Sequence, residues 1–336
     1  LFNLFEKPEM KKTLIALAVL AASTASMAQV TLYGTADLSI SATNASGVRS
    51  DASMSGNGPA ALGAATLLND GNSRWGMRVV EDLGSGMKLT AQFEQNLNYE
   101  NGAADVASGR YAYMALDTGV GRFKAGRTLT PSFFGVATWE LTGAANFTAV
   151  GNQFGWAGAG SRNNSEFSYS AKFGGVSGTL GYVTEMDLGG TAGTTSKVDA
   201  NLIYSGGPLT AALSYNKLSS AGDGNYALGG SYDFGAFKVA ASFQDAAGQS
   251  EGFSLGATMP MGPWKFTVDV AQDTGFDDTD YLLYAGYSLS KRTTVYGAFH
   301  SAGKSGKAAK AAPGTYFKGA TATTTDTYGI GVRHNF

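Results

Sequence analysis

Chemistry in this 336-residue chain has to come from charge, because the usual reacting side chains are scarce. There is no cysteine, and the only histidines are His300 and His334. Acid–base or nucleophilic hydrolysis needs a histidine or carboxylate within hydrogen-bond reach of a nucleophile. His334 falls on the apolar face of the last alternating segment and His300 closes a late one just before a loop, so neither has a partner in sequence. Asp277, Asp278 and Asp280 carry oxygen donors but lack the glycine and terminal glutamate of a calcium loop, so they read as solvated acids. No glycine-rich stretch joins a strand to a helix, and no nucleotide site is expected. No catalytic residue, metal or cofactor is therefore assigned. Arginine is left: Arg74, Arg110 and Arg162 each adjoin alternating aromatic or apolar residues. Permanently charged guanidinium groups gathered on one face attract anions and orient dipolar solutes.

The elements that must carry those arginines are two-faced strands. In the final segment Tyr328, Ile330, Val332, His334 and Phe336 share one face and Gly329, Gly331, Arg333 and Asn335 the other. The pattern recurs with Trp264, Phe266, Val268 and Val270 set against Lys265, Thr267 and Asp269, and with Leu209, Ala211, Leu213 and Tyr215 set against Thr210, Ser214 and Asn216. Seven tight glycine-rich or polar turns, near residues 82–86, 117–121, 173–176, 205–208, 233–236, 260–263 and 290–292, alternate with eight longer connections. Fifteen connections imply about sixteen strands, and the alternation of short with long suits a transmembrane β-barrel. Tyr226, Tyr232, Phe234, Tyr281, Tyr284 and Tyr287 stand near strand ends, as interfacial girdles require. The soluble alternative, a secreted β-sandwich, has no reason to order its connections so regularly.

Targeting and composition agree with export. Residues 10–28 read as a signal peptide, with Lys11 and Lys12, an apolar run from Leu14 to Ala22 and the small-residue site Ser26-Met27-Ala28. Residues 1–9 read as upstream translation and carry no structural expectation. Residues 29–336 form a single barrel domain on this reading. Acidic residues slightly outnumber basic ones, 26 to 24, and no concentrated basic patch argues for nucleic acid. Zero cysteines exclude a disulfide scaffold.

At this point the chain resembles the general diffusion porins of Gram-negative bacteria, of the β-proteobacterial type. The resemblance runs from Val30 to Phe336 and rests on Val30-Thr31-Leu32-Tyr33-Gly34, Ser73-Arg74-Trp75-Gly76, Glu81-Asp82-Leu83-Gly84 and Gly126-Arg127. Pro131-Ser132-Phe133-Phe134-Gly135, Arg162-Asn163-Asn164-Ser165, Leu289-Ser290-Lys291-Arg292-Thr293 and Arg333-His334-Asn335-Phe336 follow in order. It implies an all-β, 16-stranded antiparallel transmembrane barrel in the outer membrane, reached through the periplasm. It also implies a homotrimer and a third extracellular loop folded into the lumen. The expected partners are other copies of the chain, outer-membrane lipid and lipopolysaccharide, the outer-membrane assembly machinery, and the ions and small hydrophilic solutes that pass. By the same resemblance Tyr328 and the terminal aromatic Phe336 form the assembly signal.

Strand parity and the resemblance together place charges in the lumen. Trp75, Met77 and Val79 outward set Arg74 and Arg78 inward; Tyr111 and Tyr113 outward set Arg110 inward; Phe167, Tyr169 and Ala171 outward set Arg162 inward with Glu166. Arg74, Arg110 and Arg162 would form the basic wall of the constriction, with Lys88, Lys124, Asp37 and Glu94 as further lumen charges. The constriction loop, Thr128 to Gly160, carries Pro131, Ser132, Phe133, Phe134 and Gly135, and its only charged residue is Glu140. Enteric relatives carry an acid where Ser132 stands. With arginines kept and loop carboxylates nearly gone, the expected function is a water-filled channel for passive diffusion with weak anion preference. The alternative is a barrel with a plugged lumen, acting as a structural protein or adhesin; small or polar lumen positions such as Thr90, Gln92, Ser214 and Thr267 weigh against it.

Overall fold

Alternation along the chain becomes inside and outside. Leu202, Leu213, Leu228, Phe253, Leu255, Leu283 and Ile330 are exposed on the outer surface, while their neighbours Asn201, Ser214, Ala227, Ser254 and Thr327 are buried. Such inverted burial suits a sheet whose outer solvent is hydrocarbon. The computed structural model describes residues 28–45, 48–49, 53–55, 68–97, 104–184, 195–246, 250–275, 277–303 and 325–336. The expected leader, residues 10–28, lies outside them except for Ala28.

Among the described residues sixteen strands form the wall. They are β1 (Gln29–Ala45), β2 (Arg74–Gly84), β3 (Met87–Leu97), β4 (Ala104–Thr118), β5 (Gly121–Leu129), β6 (Arg162–Phe173), β7 (Val176–Val183) and β8 (Lys197–Gly206). The rest are β9 (Leu209–Leu218), β10 (Asn225–Asp233), β11 (Lys238–Asp245), β12 (Glu251–Met261), β13 (Trp264–Asp273), β14 (Asp278–Ser288), β15 (Thr293–Ala302) and β16 (Thr325–Asn335). Two short strands, Val48–Arg49 and Ser53–Ser55, pair back onto β1. Each wall strand pairs antiparallel with the next, and the seven tight turns fall between β2 and β3, β4 and β5, and so on, where glycine and polar residues mark them. Among the described residues no helix is long and apolar enough to cross a membrane, so crossing is by strands.

β1 closes the barrel. Its first half pairs with β2 from Gln29↔Val80 to Thr35↔Arg74, and its second half with β16 from Thr35↔Asn335 to Asn44↔Asp326. Phe336 extends that seam, since Gly34 and Phe336 exchange both backbone hydrogen bonds at 3.0 Å. The Phe336 ring then lies over Gly34, where a Cβ would overlap the ring and stand 2.7 Å from the Arg74 carbonyl. Only glycine lets the ring sit there.

One girdle expectation is corrected. Tyr284 is buried inside the barrel against Phe147 and Tyr296, with ring centroids 5.6 and 6.2 Å away. Tyr226, Tyr232, Phe234 and Tyr281 are exposed on the outside. Tyr284 shares its face with inward Leu282, a parity its position near a strand end does not reveal.

Gly34→Val should strain the closing seam by about 1–3 kcal/mol, as overpacking does. The expected outcome is a lower yield of the heat-modifiable folded form on refolding into detergent; wild-type yield would count against this role for Gly34.

Candidate pore constriction

The segment between β5 and β6 enters the barrel and folds there. Thr130 caps helix α1 (Pro131–Trp139), accepting a 2.9 Å bond from the Phe133 amide, with Pro131 in the first turn. Thr148 caps α2 (Ala149–Phe154), which ends on Gly155 at φ 56°. Val136, Trp139, Leu141 and Val150 are buried against Ala212, Ala227 and Ala240 of the wall, and Phe147 and Phe154 against Ala271, Leu282 and Tyr296. Small wall residues make the room: a Cβ on Gly229 would overlap the Trp139 ring. The loop thus leans on the wall formed by β8 to β15, and its other side faces β2 to β6.

Polar groups fix the same seat. Asp199 accepts from the Ser132 amide and hydroxyl at 2.8 and 2.7 Å, and Asn201 donates to the Pro131 carbonyl at 2.7 Å. Ser132 is therefore turned to the wall and buried. Glu140 is also buried, accepting from the Thr142 amide and hydroxyl, the Ala144 amide and the Thr148 hydroxyl at 2.6–2.9 Å. It braces the loop and is absent from the lining of the central cavity.

That cavity, about 630 Å³, lies between loop and wall. Phe133, Phe134, Asn146 and Trp156 line its loop side, and Arg74, Arg110, Arg162 and Arg333 its wall side, with Tyr33, Tyr111, Asp70 and Glu94. Glu94 anchors the cluster. Its carboxylate lies 2.5 Å from Arg110 Nε and 3.7 Å from Arg74 Nε, and it accepts a 2.9 Å bond from the Tyr33 hydroxyl. Gln92 donates to Tyr33 and accepts from Tyr113, each at 2.6 Å. Arg162 Nε donates to the Arg110 carbonyl at 3.0 Å. Four guanidinium groups face two carboxylates, a formal excess of two positive charges in the cavity lining.

The three arginines are brought together, but Arg110 does not arrive by the expected parity. Tyr111 and Tyr113 face the lumen, standing opposite Glu94 and Gln92, while Met114 is exposed outside. Arg110 reaches the same side because the register slips: Glu94 pairs with Tyr111 but Gln95 pairs with Gly109, leaving Arg110 as an extra residue. A β-bulge of this kind re-aims a side chain. A second slip between Gly126 and Thr128 precedes Arg162, across from Ser165 at φ 49°.

Other expected lumen charges separate into pore-lining and buried ones. Arg78 and Lys88 share the inward face of Gln92 and Thr90 and are exposed. Lys124 bridges wall and loop, 5.6 Å from the Tyr113 ring centroid and 5.8 Å from that of Phe134. Asp37 is corrected: it is fully buried, accepting from the Tyr296 hydroxyl at 2.6 Å and the Gly71 amide at 2.7 Å, and so anchors the segment Leu68–Ser73. Glu166 is corrected likewise: it is fully buried, accepting from Asn163 at 2.8 Å with Lys124 4.0 Å away. Asp278 and Asp280 are buried rather than solvated, and Asp280 lies 3.6 Å from buried His300, a partner that only cross-strand geometry supplies. Among the described residues no group of three or more acids, histidines or cysteines is arranged for a metal ion.

Two charged lining residues escaped the site assignment, Arg333 and Asp70, which pair at 3.3 Å. The alternation of the last strand already placed Arg333 on the inner face; nothing local marks Asp70, which arrives with the inserted segment after β1. Asp70 lies between strands, and burial raises its carboxyl above the ordinary range against the opposing pull of Arg333.

The Gram-negative porin family model matches residues 13–307. Outer membrane porin protein 32 of Delftia acidovorans is 32% identical, across 97% of this chain and 100% of that protein. An outer membrane porin protein of Bordetella pertussis is 28% identical, across 86% of this chain and 84% of that protein. Among solved structures, the anion-selective porin from Comamonas acidovorans superposes with a TM-score of 0.70 at 26% identity, covering 92% of this chain and 100% of that one.

Asp70 should lose its charge at a higher pH than an ordinary carboxylate, so the positive excess of the cavity grows on acidification. Anion preference, read from the reversal potential in a salt gradient, should rise as pH falls from neutral. Asp70→Asn should flatten the upper part of that rise; an unchanged pH profile in the variant would rule Asp70 out as its source.

Proposed function

The chain belongs to the Gram-negative porin family and forms a water-filled channel across the outer membrane, and we propose that this channel passes ions and small hydrophilic solutes by passive diffusion with a weak preference for anions. The observation that carries the preference is the cavity lining, with Arg74, Arg110, Arg162 and Arg333 against Asp70 and Glu94. Charged rings at a constriction set ion preference. The loop side contributes aromatic and amide groups but no carboxylate, because its one acid, Glu140, is committed to hydrogen bonds within the loop. The likeness to a porin described as anion-selective supports the same sign. Glu94 keeps the preference weak by neutralising part of the arginine charge at contact distance.

Arg74, Arg110 and Arg162 act here as the basic wall and the Thr128–Gly160 loop as the constriction. Arg78 and Lys88 extend positive charge along the same wall. A plugged, adhesive barrel is disfavoured by the open cavity beside the loop. Family membership further supports a homotrimer embedded among lipid and lipopolysaccharide, a leader over residues 10–28 removed on export, and Tyr328 with Phe336 as the segment read by the assembly machinery.

In planar bilayers under a salt gradient, the purified protein should give a modest anion-selective reversal potential, and replacing Arg74, Arg110 and Arg162 together by Gln should bring it to neutral or cationic. Clear cation selectivity of the unaltered protein would overturn the reading. Deleting Phe336 should cut the amount of barrel assembled in cells severalfold while leaving the conductance of assembled channels unchanged; equal assembly would remove Phe336 from that role.

A further inference from the structure

One ion pair inside the barrel lies outside the lining of the central cavity and adds no net charge to it. Lys197 and Asp199 lie two residues apart on the same face of β8, with Nζ 3.1 Å from a carboxylate oxygen and side chains only 2% and 0% exposed. Their remaining bonds reach both ends of the constriction loop, and Asn163 at the start of β6. Asp199 holds the entering stem through the Ser132 amide and hydroxyl. Lys197 holds the returning stem, donating to the Ala159 carbonyl at 2.9 Å and to Asn163 at 3.0 Å. Asn216 of β9 doubles the clasp, donating to the Ser132 hydroxyl and to the Ala157 carbonyl at 3.2 and 2.8 Å.

Desolvating an ammonium and a carboxylate costs several kcal/mol each, so such a pair is weak evidence for stability and raises the question of what geometry it fixes. Here the geometry it fixes is that of the loop stems. From Asn163 the contacts continue to Glu166 at 2.8 Å and on to Lys124 at 4.0 Å, the lysine that meets Phe134 at the pore.

We propose that Lys197 and Asp199 are positioning residues, a buried clasp that holds both stems of the constriction loop on the wall and thereby sets the quietness and voltage tolerance of the open channel. Removing one partner strands a buried charge, and the stems yield to solvate it. Removing both leaves a neutral seat in which Ser132 and Asn216 still hold the loop.

The test uses the full chain in planar bilayers, with the folded form verified by heat-modifiable mobility. Lys197→Met and Asp199→Asn should each raise open-channel current noise severalfold and lower the closing voltage, and the double variant should return towards the unaltered protein. The sequence holds no cysteine, and a Cβ on Gly135 would stand 3.4 Å from that of Ser214, close to the Cβ separation of a disulfide. Gly135→Cys with Ser214→Cys in the Lys197→Met background should therefore quiet the channel when oxidised and release it on reduction. Folded single variants with unaltered noise and closing voltage would overturn the proposal. So would a double variant as noisy as the singles, or an oxidised tether without effect. Should a single variant fail to fold, Ser132→Ala removes one donor without stranding a charge and should raise noise in the same direction; an unchanged channel would again overturn the clasp. The inference rests on the loop narrowing the channel, and conductance of the unaltered protein in the same bilayers tests that reading separately.

Discussion

A backbone amide left unpaired in hydrocarbon costs several kcal/mol, so a sheet that crosses a membrane must close on itself. In this protein closure falls to β1, which pairs on one flank with β2 and on the other with β16. Phe336 lengthens that seam by two backbone bonds to Gly34. Once the ring is closed, each strand has one face for lipid and one for the lumen, and side chains sort accordingly. Sixteen strands make a lumen too wide for wall side chains to fill. The space is then available to inserted segments.

Two segments use it. The loop between β5 and β6 brings Trp139, Phe147 and Phe154 into burial against alanine and glycine positions of β8 to β15. Each such side chain contributes about 1.5–3 kcal/mol by leaving water. Leu68–Ser73 docks through Asp37 and Tyr296 and delivers Asp70 beside Arg333. Both insertions lean to one side and leave the passage along the arginine wall. The apolar packing of the inserted segments thus decides which charges remain in contact with water.

That division explains why many lumen-facing acids do not weigh on the pore. Asp37, Glu140, Glu166 and Asp199 are committed to hydrogen bonds under the inserted segments. Glu94 and Asp70 are the exceptions, because each sits beside arginines of the cavity lining. A chain with slightly more acidic than basic residues can in this way present a positive constriction.

Local sequence determined the strand count, the seven tight turns and the inward facing of Arg74, because period-two alternation and turn chemistry act over a few residues. The same alternation carried Arg333, though its pairing with Asp70 was invisible. Arg110 shows the limit. Simple parity placed it inward by setting Tyr111 and Tyr113 outward, whereas a bulge turns all three to the lumen, since one unpaired residue reverses the phase of everything beyond it. Partners such as Glu94 for Arg110, Asp280 for His300 and Asp199 for Ser132 come from other strands, and only the closed tertiary structure sets those distances. The burial of Glu140 and Ser132 was equally beyond the sequence, because it depends on where the loop finds wall residues small enough to receive it.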